Sequence, residues 1–402
     1  MDTVTTLAGC ALAAGDPLAA LNLVALRNDP DALALRGIAM AQLGDLSRAR
    51  TLLRRAARAF GPDAPADCAR CHVAEAEVAL VARDLGGWAA TLDAAVKALT
   101  ACGDHANAAH AGYLAARRWL VLGQLDAVER TLADIDVSML RAPSRAGYWL
   151  VVCGVAMRRV RAAPARAAVA DARQAARTAG ISALVREVER TGQALQAPVG
   201  RMIERGRMQL LDLAGVEALL ATDTLVVDAC RHAVRAGTAS IALARRPVLF
   251  ALVRLLADAW PGDTTRERLI ERAFRIRHAD ASMRARLRVE IGRLRKALAP
   301  IADINTTRRG FSLTPRHTQA VAVLEPPEPQ SHAQVRALLA DGATWSSADL
   351  ALALGTSTRT VQRALADLTR ADAVTATGRG RSRRWMMSSV PGFPTTLLLP
   401  MH

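Results

Sequence analysis

Lysine, aromatic residues and long apolar runs are scarce in this sequence. Only Lys97 and Lys296 are lysine, and neither follows a glycine, so the sequence lacks the Gly-Lys-Ser/Thr loop of P-loop NTPases. No apolar run approaches the ~20 residues that cross a bilayer, and we therefore expect no contact with a membrane. Aromatic residues make up 3% of the chain, whereas alanine and leucine dominate its hydrophobic 51%. That mixture favours helix over strand and predicts a mainly α protein.

Cysteine is too sparse for a disulfide scaffold, and we predict reduced thiols in a cytoplasmic protein. The motif from Leu7 to Cys10 resembles a lipoprotein cleavage box, but no basic residue precedes it, so we interpret it as a coincidence. Residues 68–72 read CARCH, the spacing of c-type haem attachment, with Cys68 and Cys71 as thioether sites and His72 as ligand. A thiol sensor or metal pair and plain helix residues are the alternatives. Because no export signal and no second ligand pair accompany the motif, we expect no cofactor and no metal.

Positive charge is concentrated in the middle of the chain. The formal net charge is +16, and basic against acidic residues number 23 against 19 in residues 1–200 but 22 against 12 in residues 201–316. Such a local surplus is typical of a surface that binds a polyanion, because basic side chains displace condensed counterions from phosphates. The alternative is an arginine-biased genome whose basic residues lie on solvated faces. The charge alone therefore does not establish a polyanion-binding surface, and the geometry of the motifs has to support it.

Residues 1–196 show paired amphipathic helices joined by short turns. In the clearest pair, residues 33–60, apolar residues recur at helical spacing on both sides of Gly44-Asp45. Similar pairs follow at about 68–101, 105–133 and 143–179, with breaks at Gly86-Gly87, Gly123 and Pro164. The period of roughly 35 to 40 residues indicates an α-solenoid of helical hairpins.

The pair around Leu35, Gly37, Gly44 and Ala49 resembles a degenerate tetratricopeptide repeat, in which small residues let paired helices approach closely. The resemblance implies a concave surface for a protein or peptide partner, or for a second copy of the chain. Helices that only dimerise or support the rest of the chain are the alternative.

The pattern changes after residue 196. We expect a helical connector over 197–223, followed by short strands at 224–228, 231–235 and 240–243. Arg246-Pro247 then opens a helix that stops at Pro261-Gly262, and Thr264 or Thr265 caps a second helix over 266–274. A third helix is predicted over 282–298, and the three together fit a helix-turn-helix with a support helix.

The third helix is amphipathic and strongly basic. Leu287, Ile291, Leu294 and Leu298 form its apolar face, and the segments 304–307 and 311–314 that follow it predict a β-hairpin. The exposed side of such a helix suits a DNA major groove, and arginines at the hairpin turn suit the backbone or minor groove. The candidate DNA-binding residues of this unit are Arg284, Arg286, Arg288, Arg293, Arg295, Lys296, Arg308 and Arg309.

Residues 224–316 resemble the OmpR/PhoB-type winged-helix effector domain. The shared features are the N-terminal strands, the Leu243-x-x-Arg246-Pro247 entry, the helix segment 289–296 and the hairpin segment 309–313, Arg-Gly-Phe-Ser-Leu. The resemblance implies that the third helix reads base edges while arginines at its ends and in the wing fix phosphates. The chain departs from that family because helical repeats stand where a phosphorylated receiver domain is usual, which makes control by aspartyl phosphorylation unexpected.

A second unit of the same kind is predicted near the C-terminus. We interpret residues 317–331, with Pro326-Pro327 and Pro329, as a stiff exposed linker. Helices are expected over 332–339, 348–354 after a Ser346-Ser347 cap, and from Ser357 after a turn at Gly355, with a hairpin over 374–386. Residues 332–387 thus resemble DeoR- or MarR-like winged helices. The candidate DNA-binding residues are Ser357, Thr358, Arg359, Thr360, Gln362, Arg363, Arg379, Arg381 and Arg383, and a dimerisation unit with a solvated hairpin is the alternative.

The whole pattern predicts an N-terminal α-solenoid followed by two winged-helix domains and a tail over 388–402. The tail, with Phe393 and Leu397-Leu398-Leu399, either clasps a partner subunit or packs on its own domain. No nucleophile elbow or metal-ligand pattern is present, so we expect no enzyme. The function predicted is a transcription regulator that binds double-stranded DNA, as a homodimer when half-sites are paired. The alternative is an adaptor whose solenoid is the main functional surface and whose winged helices bind nucleic acid non-specifically or dimerise.

Overall fold

The computed structural model describes residues 3–82, 87–274, 280–327, 332–339, 345–354, 356–371, 373–378, 380 and 383–387. Helices predominate, which confirms the mainly α class predicted from composition. Among the described residues, no helix combines the length and the apolar character needed to cross a membrane. Gly86, Gly355, Pro329, Arg379, Arg381 and the tail lie outside the described residues, so the predictions for them are not compared with the structure.

Among the described residues of the N-terminal part, 3–82 and 87–194, which is here called the helical region, the regular elements are all helices. They are α1 Thr3–Ala13, α2 Pro17–Val24, α3 Pro30–Gln42, α4 Leu46–Phe60, α5 Pro65–Val81, α6 Ala89–Ala101, α7 His105–Val121, α8 Leu125–Ala133, α9 Ala142–Arg158, α10 Ala162–Ala179 and α11 Ser182–Ala194, with a 3-10 turn at Val137–Met139. The four predicted pairs correspond to α3 through α10. The predicted break at Pro164 is misplaced, because this proline occupies the first turn of α10, where its missing N–H costs nothing.

Glycine followed by aspartate separates several of these helices. Gly44 and Gly103 adopt φ values of +89° and +76°, which lets the preceding helix end in a left-handed residue. The aspartate that follows caps the next helix: Asp45 Oδ1 accepts from the backbone N–H of Arg48 at 3.0 Å, and Asp104 Oδ1 from that of Asn107 at 3.2 Å. The dipeptide therefore ends one helix and starts another within a short turn.

The helical region packs sequentially. Each helix contacts the next along the chain, and α3, α5, α7 and α9 also contact one another in that order. Close approach depends on small residues, since a Cβ on Gly37 would lie 2.8 Å from Leu53 Cγ. Buried polar groups join alternate helices: His110 of α7 lies 3.2 Å from Glu77 Oε2 of α5 and 2.9 Å from Ser144 Oγ of α9.

A six-stranded sheet forms the base of the next part, residues 200–325, here called the central unit. Its strands are β1 Gly200–Glu204, β2 Arg207–Leu211, β3 Leu225–Asp228, β4 Ala233–Ala236, β5 Ala239–Ala242 and β9 Val321–Glu325, in the order β2-β1-β9-β3-β4-β5. Helix α12, Leu213–Ala221, follows β2.

Two expectations about the central unit are wrong in part. The predicted helical connector over 197–223 contains the β1–β2 hairpin, and the predicted linker over 317–331 contains β9, which lies between β1 and β3. The run Val321-Ala322-Val323-Leu324 is apolar on both faces and fully buried, as expected of a central strand, and the prolines that follow it are what suggested a linker.

Both faces of the sheet are covered. Val227 and Val323 face one apolar core, and Val226 and Leu324 face a second core that includes Val216 of α12. The first core contains α13 Pro247–Ala259, α14 Arg266–Phe274 and α15 Ala281–Leu298, together with the three-stranded sheet of β6 Asp263–Thr265, β7 Ala302–Thr306 and β8 Gly310–Pro315. The alternation of side chains along the strands thus places the three helices on one side of the sheet.

The described residues of 332–387 form a small C-terminal unit. It consists of α16 Ala333–Leu339, α17 Ser347–Leu354, α18 Thr358–Arg370 and the hairpin of β10 Val374–Thr377 and β11 Arg384–Met387. Met386 is buried within the core of the helical region, and Ala244 of the central unit packs on the core of the C-terminal unit. The C-terminal unit therefore touches both other parts of the chain.

His232 makes the central unit sensitive to acid. Its ring stacks on Phe250 with centroids 4.3 Å apart and planes 4° apart, and burial, opposed by the charge of Asp228, lowers the pKa of His232 below its ordinary 6.5. The unfolded chain therefore binds the proton first, so this contribution to stability is present above pH 6.5 and is lost as the pH falls through the lowered pKa. The free energy of unfolding is expected to drop as the pH falls from neutral through that range in the wild type.

The matched variant is His232→Asn, because asparagine tolerates the φ of +50° at this position. Chemical denaturation at each pH is the measurement. We expect a flatter pH profile for the variant, and equal slopes for the two proteins would contradict the assignment.

Candidate nucleic-acid interface

Helix α15 is positioned by one apolar side. Leu287, Ile291, Leu294 and Leu298 are buried in the core, and Asp280 caps the helix by accepting from the backbone N–H of Met283 at 2.7 Å. The opposite side faces solvent. All six predicted cations of this helix, Arg284, Arg286, Arg288, Arg293, Arg295 and Lys296, are exposed.

The outermost line of α15 is made mostly of small and apolar residues. At 100° per residue, Ala285, Val289, Gly292 and Lys296 point directly away from the buried side. Val289 is 54% exposed although it is apolar, and nothing lies within 4 Å of a Cβ built on Gly292. Val289 was not among the predicted site residues. Its position, two residues from both buried Leu287 and buried Ile291, nevertheless indicates from the sequence that it lies on the exposed side of the helix. These four positions form a narrow strip of mostly small side chains, which runs between two rows of arginines.

The cations on and beside this strip differ in how many contacts they already make within the protein. Within the described residues, Arg288 and Lys296 have no ion pair or hydrogen bond, whereas Arg293 pairs with Glu290 at 2.8 Å. Arg286 lies over the ring of Phe274 at 4.7 Å. The most engaged is Arg295, which donates from Nε to the carbonyl of Ile304 at 2.7 Å and so ties α15 to β7.

Hydrogen bonds hold the backbone of the turn between β7 and β8 in place, whereas the side chains of its two arginines extend into solvent. Arg266 of α14 donates to the backbone carbonyls of Arg308 and Thr307 at 2.9 and 3.1 Å. Thr307 Oγ1 donates to Asp263 Oδ2 at 2.6 Å and accepts from the N–H of Gly310 at 2.9 Å. The side chains of Arg308 and Arg309 are exposed and make no contact of this kind with any described residue. Arg266 is therefore a positioning residue that the sequence did not single out.

The C-terminal unit repeats this arrangement on α18. Ser357 caps the helix through the N–H of Thr360 at 3.1 Å, and Val361, Leu365 and Leu368 are buried. The predicted residues on its outer side, Ser357, Thr358, Arg359, Thr360, Gln362 and Arg363, are all exposed.

An open groove of about 1130 Å³ lies between α18, the start of α17 and β11. Its lining includes Thr358 and Gln362 of α18 and Arg383, Arg384 and Trp385 at β11. Arg383 lies over the ring of Trp385 at 4.4 Å, which fixes one predicted cation at the entrance. The groove thus joins a polar helix face to a basic hairpin.

The CARCH motif lies on α5 and does not form a recognisable site. Burial raises the pKa of the Cys71 thiol to about 12, which keeps it protonated and unreactive at neutral pH. Burial also raises the pKa of Cys68. Within the described part of the chain, no three histidine, cysteine, aspartate or glutamate side chains are placed so that they could share a metal ion.

Comparison with known proteins gives no relative. No family model, curated protein or solved structure matches this chain.

Proposed function

We propose that this protein is a sequence-specific transcription regulator that binds double-stranded DNA through two winged-helix units. The proposal rests chiefly on the pairing of the open, arginine-bordered face of α15 with the unpaired Arg308 and Arg309 on a rigid turn of the same unit. A helix about 10–12 Å across fits a major groove about 12 Å wide. Regulation of this kind takes place in the bacterial cytoplasm, where the chromosome lies.

The two groups of residues have different tasks in this proposal. Val289 suits contact with a thymine methyl group, because little bulk surrounds it, and Lys296 on the strip and Arg288 beside it suit guanine acceptors. Arg308 and Arg309 bind phosphates or enter the adjacent minor groove, which fixes the position of α15 without reading sequence. Arg295, which is already bound to β7, contributes charge more than direct recognition.

The C-terminal unit supplies a second contact. Arg359, Gln362 and Arg363 are exposed on the first turns of α18, where side chains reach base edges, while Arg383 lies across the groove and suits the phosphates of a bound strand. Two units on one chain would read a longer operator than either alone.

The helical region is the proposed sensing or oligomerisation part, arranged as an α-solenoid. Its contact with the central unit is firm: Glu217 Oε2 of α12 accepts from the backbone N–H of Ala162 at 2.8 Å, and Leu213 is buried in the core around α9 and α10. This contact connects the helical region, where a protein or peptide partner would bind, to the sheet that carries α13, α14 and α15.

Removing the two turn arginines tests the proposal. The Arg308→Ala/Arg309→Ala variant is expected to bind all duplexes more weakly, because it cannot neutralise the phosphates that these side chains reach. The slope of log affinity against log salt should fall by about one unit for each phosphate that the variant no longer binds. Fluorescence anisotropy with labelled duplexes between about 50 and 200 mM salt gives both quantities.

The matched control is Arg166→Ala/Arg177→Ala, which removes the same charge from exposed positions on α10. Its slope is expected to stay at the wild-type value. Equal losses of affinity in both variants would mean that net charge alone governs binding, and that the turn has no place in the interface.

A further inference from the structure

The β1–β2 hairpin leaves one strand edge uncovered. Strand β2 lies at the end of the six-stranded sheet and pairs only with β1 among the described residues. Met208 and Leu210 on this strand are 64% and 55% exposed. Natural proteins usually protect such an edge with charge, proline or a covering element, because its free N–H and C=O groups pair readily with another strand.

The hairpin geometry shows which backbone groups point outwards. Arg205 and Gly206, at φ +48° and +77°, form a two-residue turn, so Glu204 and Arg207 are the hydrogen-bonded pair that closes it. Alternation then makes Met202 and Gln209 a bonded pair, and leaves Met208 and Leu210 unbonded to β1. The N–H and C=O of Met208 and Leu210 therefore face the free edge.

We propose that β2 is the dimerisation edge of this protein and that its partner is β2 of a second copy, paired antiparallel about a two-fold axis at Gln209. In that register Met208 is opposite Leu210 of the second copy, and the converse pair follows by symmetry. The outward N–H and C=O groups of both residues then bond in reciprocal pairs, and each exposed apolar side chain has an apolar cross-strand neighbour.

Charge favours the same register. In that register Arg207 lies opposite Leu211 of the second copy, so the arginines of the two copies are kept apart. A register centred on Arg207 would instead place two arginines directly opposite, which is unfavourable.

The dimer is independent of the proposed DNA binding and is tested without DNA. Sedimentation equilibrium of the full chain at up to about 100 µM suits an interface made of one pair of five-residue strands, which is expected to be weak. The mass should rise with concentration from 42.7 kDa towards twice that value. A chain that stays monomeric throughout would overturn the proposal.

Two variants locate the interface. Met208→Pro removes an outward N–H and the exposed methionine side chain but no hydrogen bond to β1. An edge strand tolerates such a proline, so the variant is expected to abolish association while the thermal unfolding midpoint stays near that of the wild type. Leu210→Glu, at an exposed position, should weaken association about tenfold, because it places a carboxylate opposite the apolar side chain of Met208 in the second copy. It tests the proposal even if the proline variant unfolds.

The control is Leu26→Glu, at a leucine that is 97% exposed just after α2, far along the chain from the hairpin. It should dimerise as the wild type does. Loss of association in this variant, or wild-type association in Leu210→Glu and in a folded Met208→Pro, would show that another surface mediates self-association.

Discussion

Gly310→Ala is expected to disrupt the β7–β8 turn and to destabilise the protein by about 3 kcal/mol, the upper part of the range for overpacking. A Cβ on Gly310 would lie 1.9 Å from the backbone oxygen of Thr264, which is backbone and cannot move aside as a side chain would. The pairing of β8 with β6, in which Thr265 is opposite Gly310, would have to open. Denaturant unfolding measures the loss of stability, and DNA affinity should fall with it because Arg308 and Arg309 are no longer held in position.

Gly292→Ala is the matched control, in the middle of α15. Nothing lies within 4 Å of its Cβ, and alanine in a helix interior is more favourable than glycine by about 0.5–1 kcal/mol. This variant should be more stable than the wild type. If both substitutions cost the same, the close approach at Gly310 is not what constrains the turn.

Glu325→Gln is expected to destabilise the central unit by about 2 kcal/mol, because the amide offers its two arginine partners no charge and one acceptor oxygen instead of two. Glu325 on β9 forms ion pairs with Arg201 of β1 and Arg254 of α13, so it joins the sheet to the helix packed on it. Burial raises the pKa of Glu325, but the hydrogen bond from Arg201 and the charge of Arg254 outweigh it and hold that pKa below its ordinary 4.5. The loss of stability caused by Glu325→Gln should therefore be present at neutral pH and decline as the pH falls through the lowered pKa.

The control for Glu325 is Asp303→Asn. Asp303 also pairs with an arginine, Arg316, at 2.7 Å, but both side chains are exposed, and such pairs contribute little. Urea unfolding at neutral pH should give the wild-type curve for Asp303→Asn and a shifted midpoint for Glu325→Gln. Indistinguishable curves would mean that the cluster on β9 is no more important than a surface pair.

Helix positions were largely predictable because both ends carry local signals. The N-cap of α18 at Ser357 and the span of α14 agree with the sequence expectation, and the four buried leucine and isoleucine positions of α15 are those with helical spacing. The exposed face of α15 follows from the same spacing, so most of the candidate site on this helix could be anticipated from the sequence.

The sheet was harder to predict because its pairing is not local. Strand β9 pairs with β1 although Glu325 and Arg201, which lie opposite each other, are 124 residues apart along the chain. Nothing in the run from Val321 to Leu324 indicates which strands it pairs with, and the prolines after it resemble a linker. For the same reason Arg266 was missed: its role depends on a turn 42 residues away.

The most direct test of the central claim is selection from a pool of random duplexes at ~150 mM salt, followed by sequencing of the bound fraction, for the wild type, Gln362→Ala and Arg359→Ala. We predict an enriched motif for the wild type, and a changed preference at some positions for the α18 variants. Salt-sensitive binding without any enriched motif would contradict sequence-specific regulation, and would point to an adaptor that binds nucleic acid non-specifically.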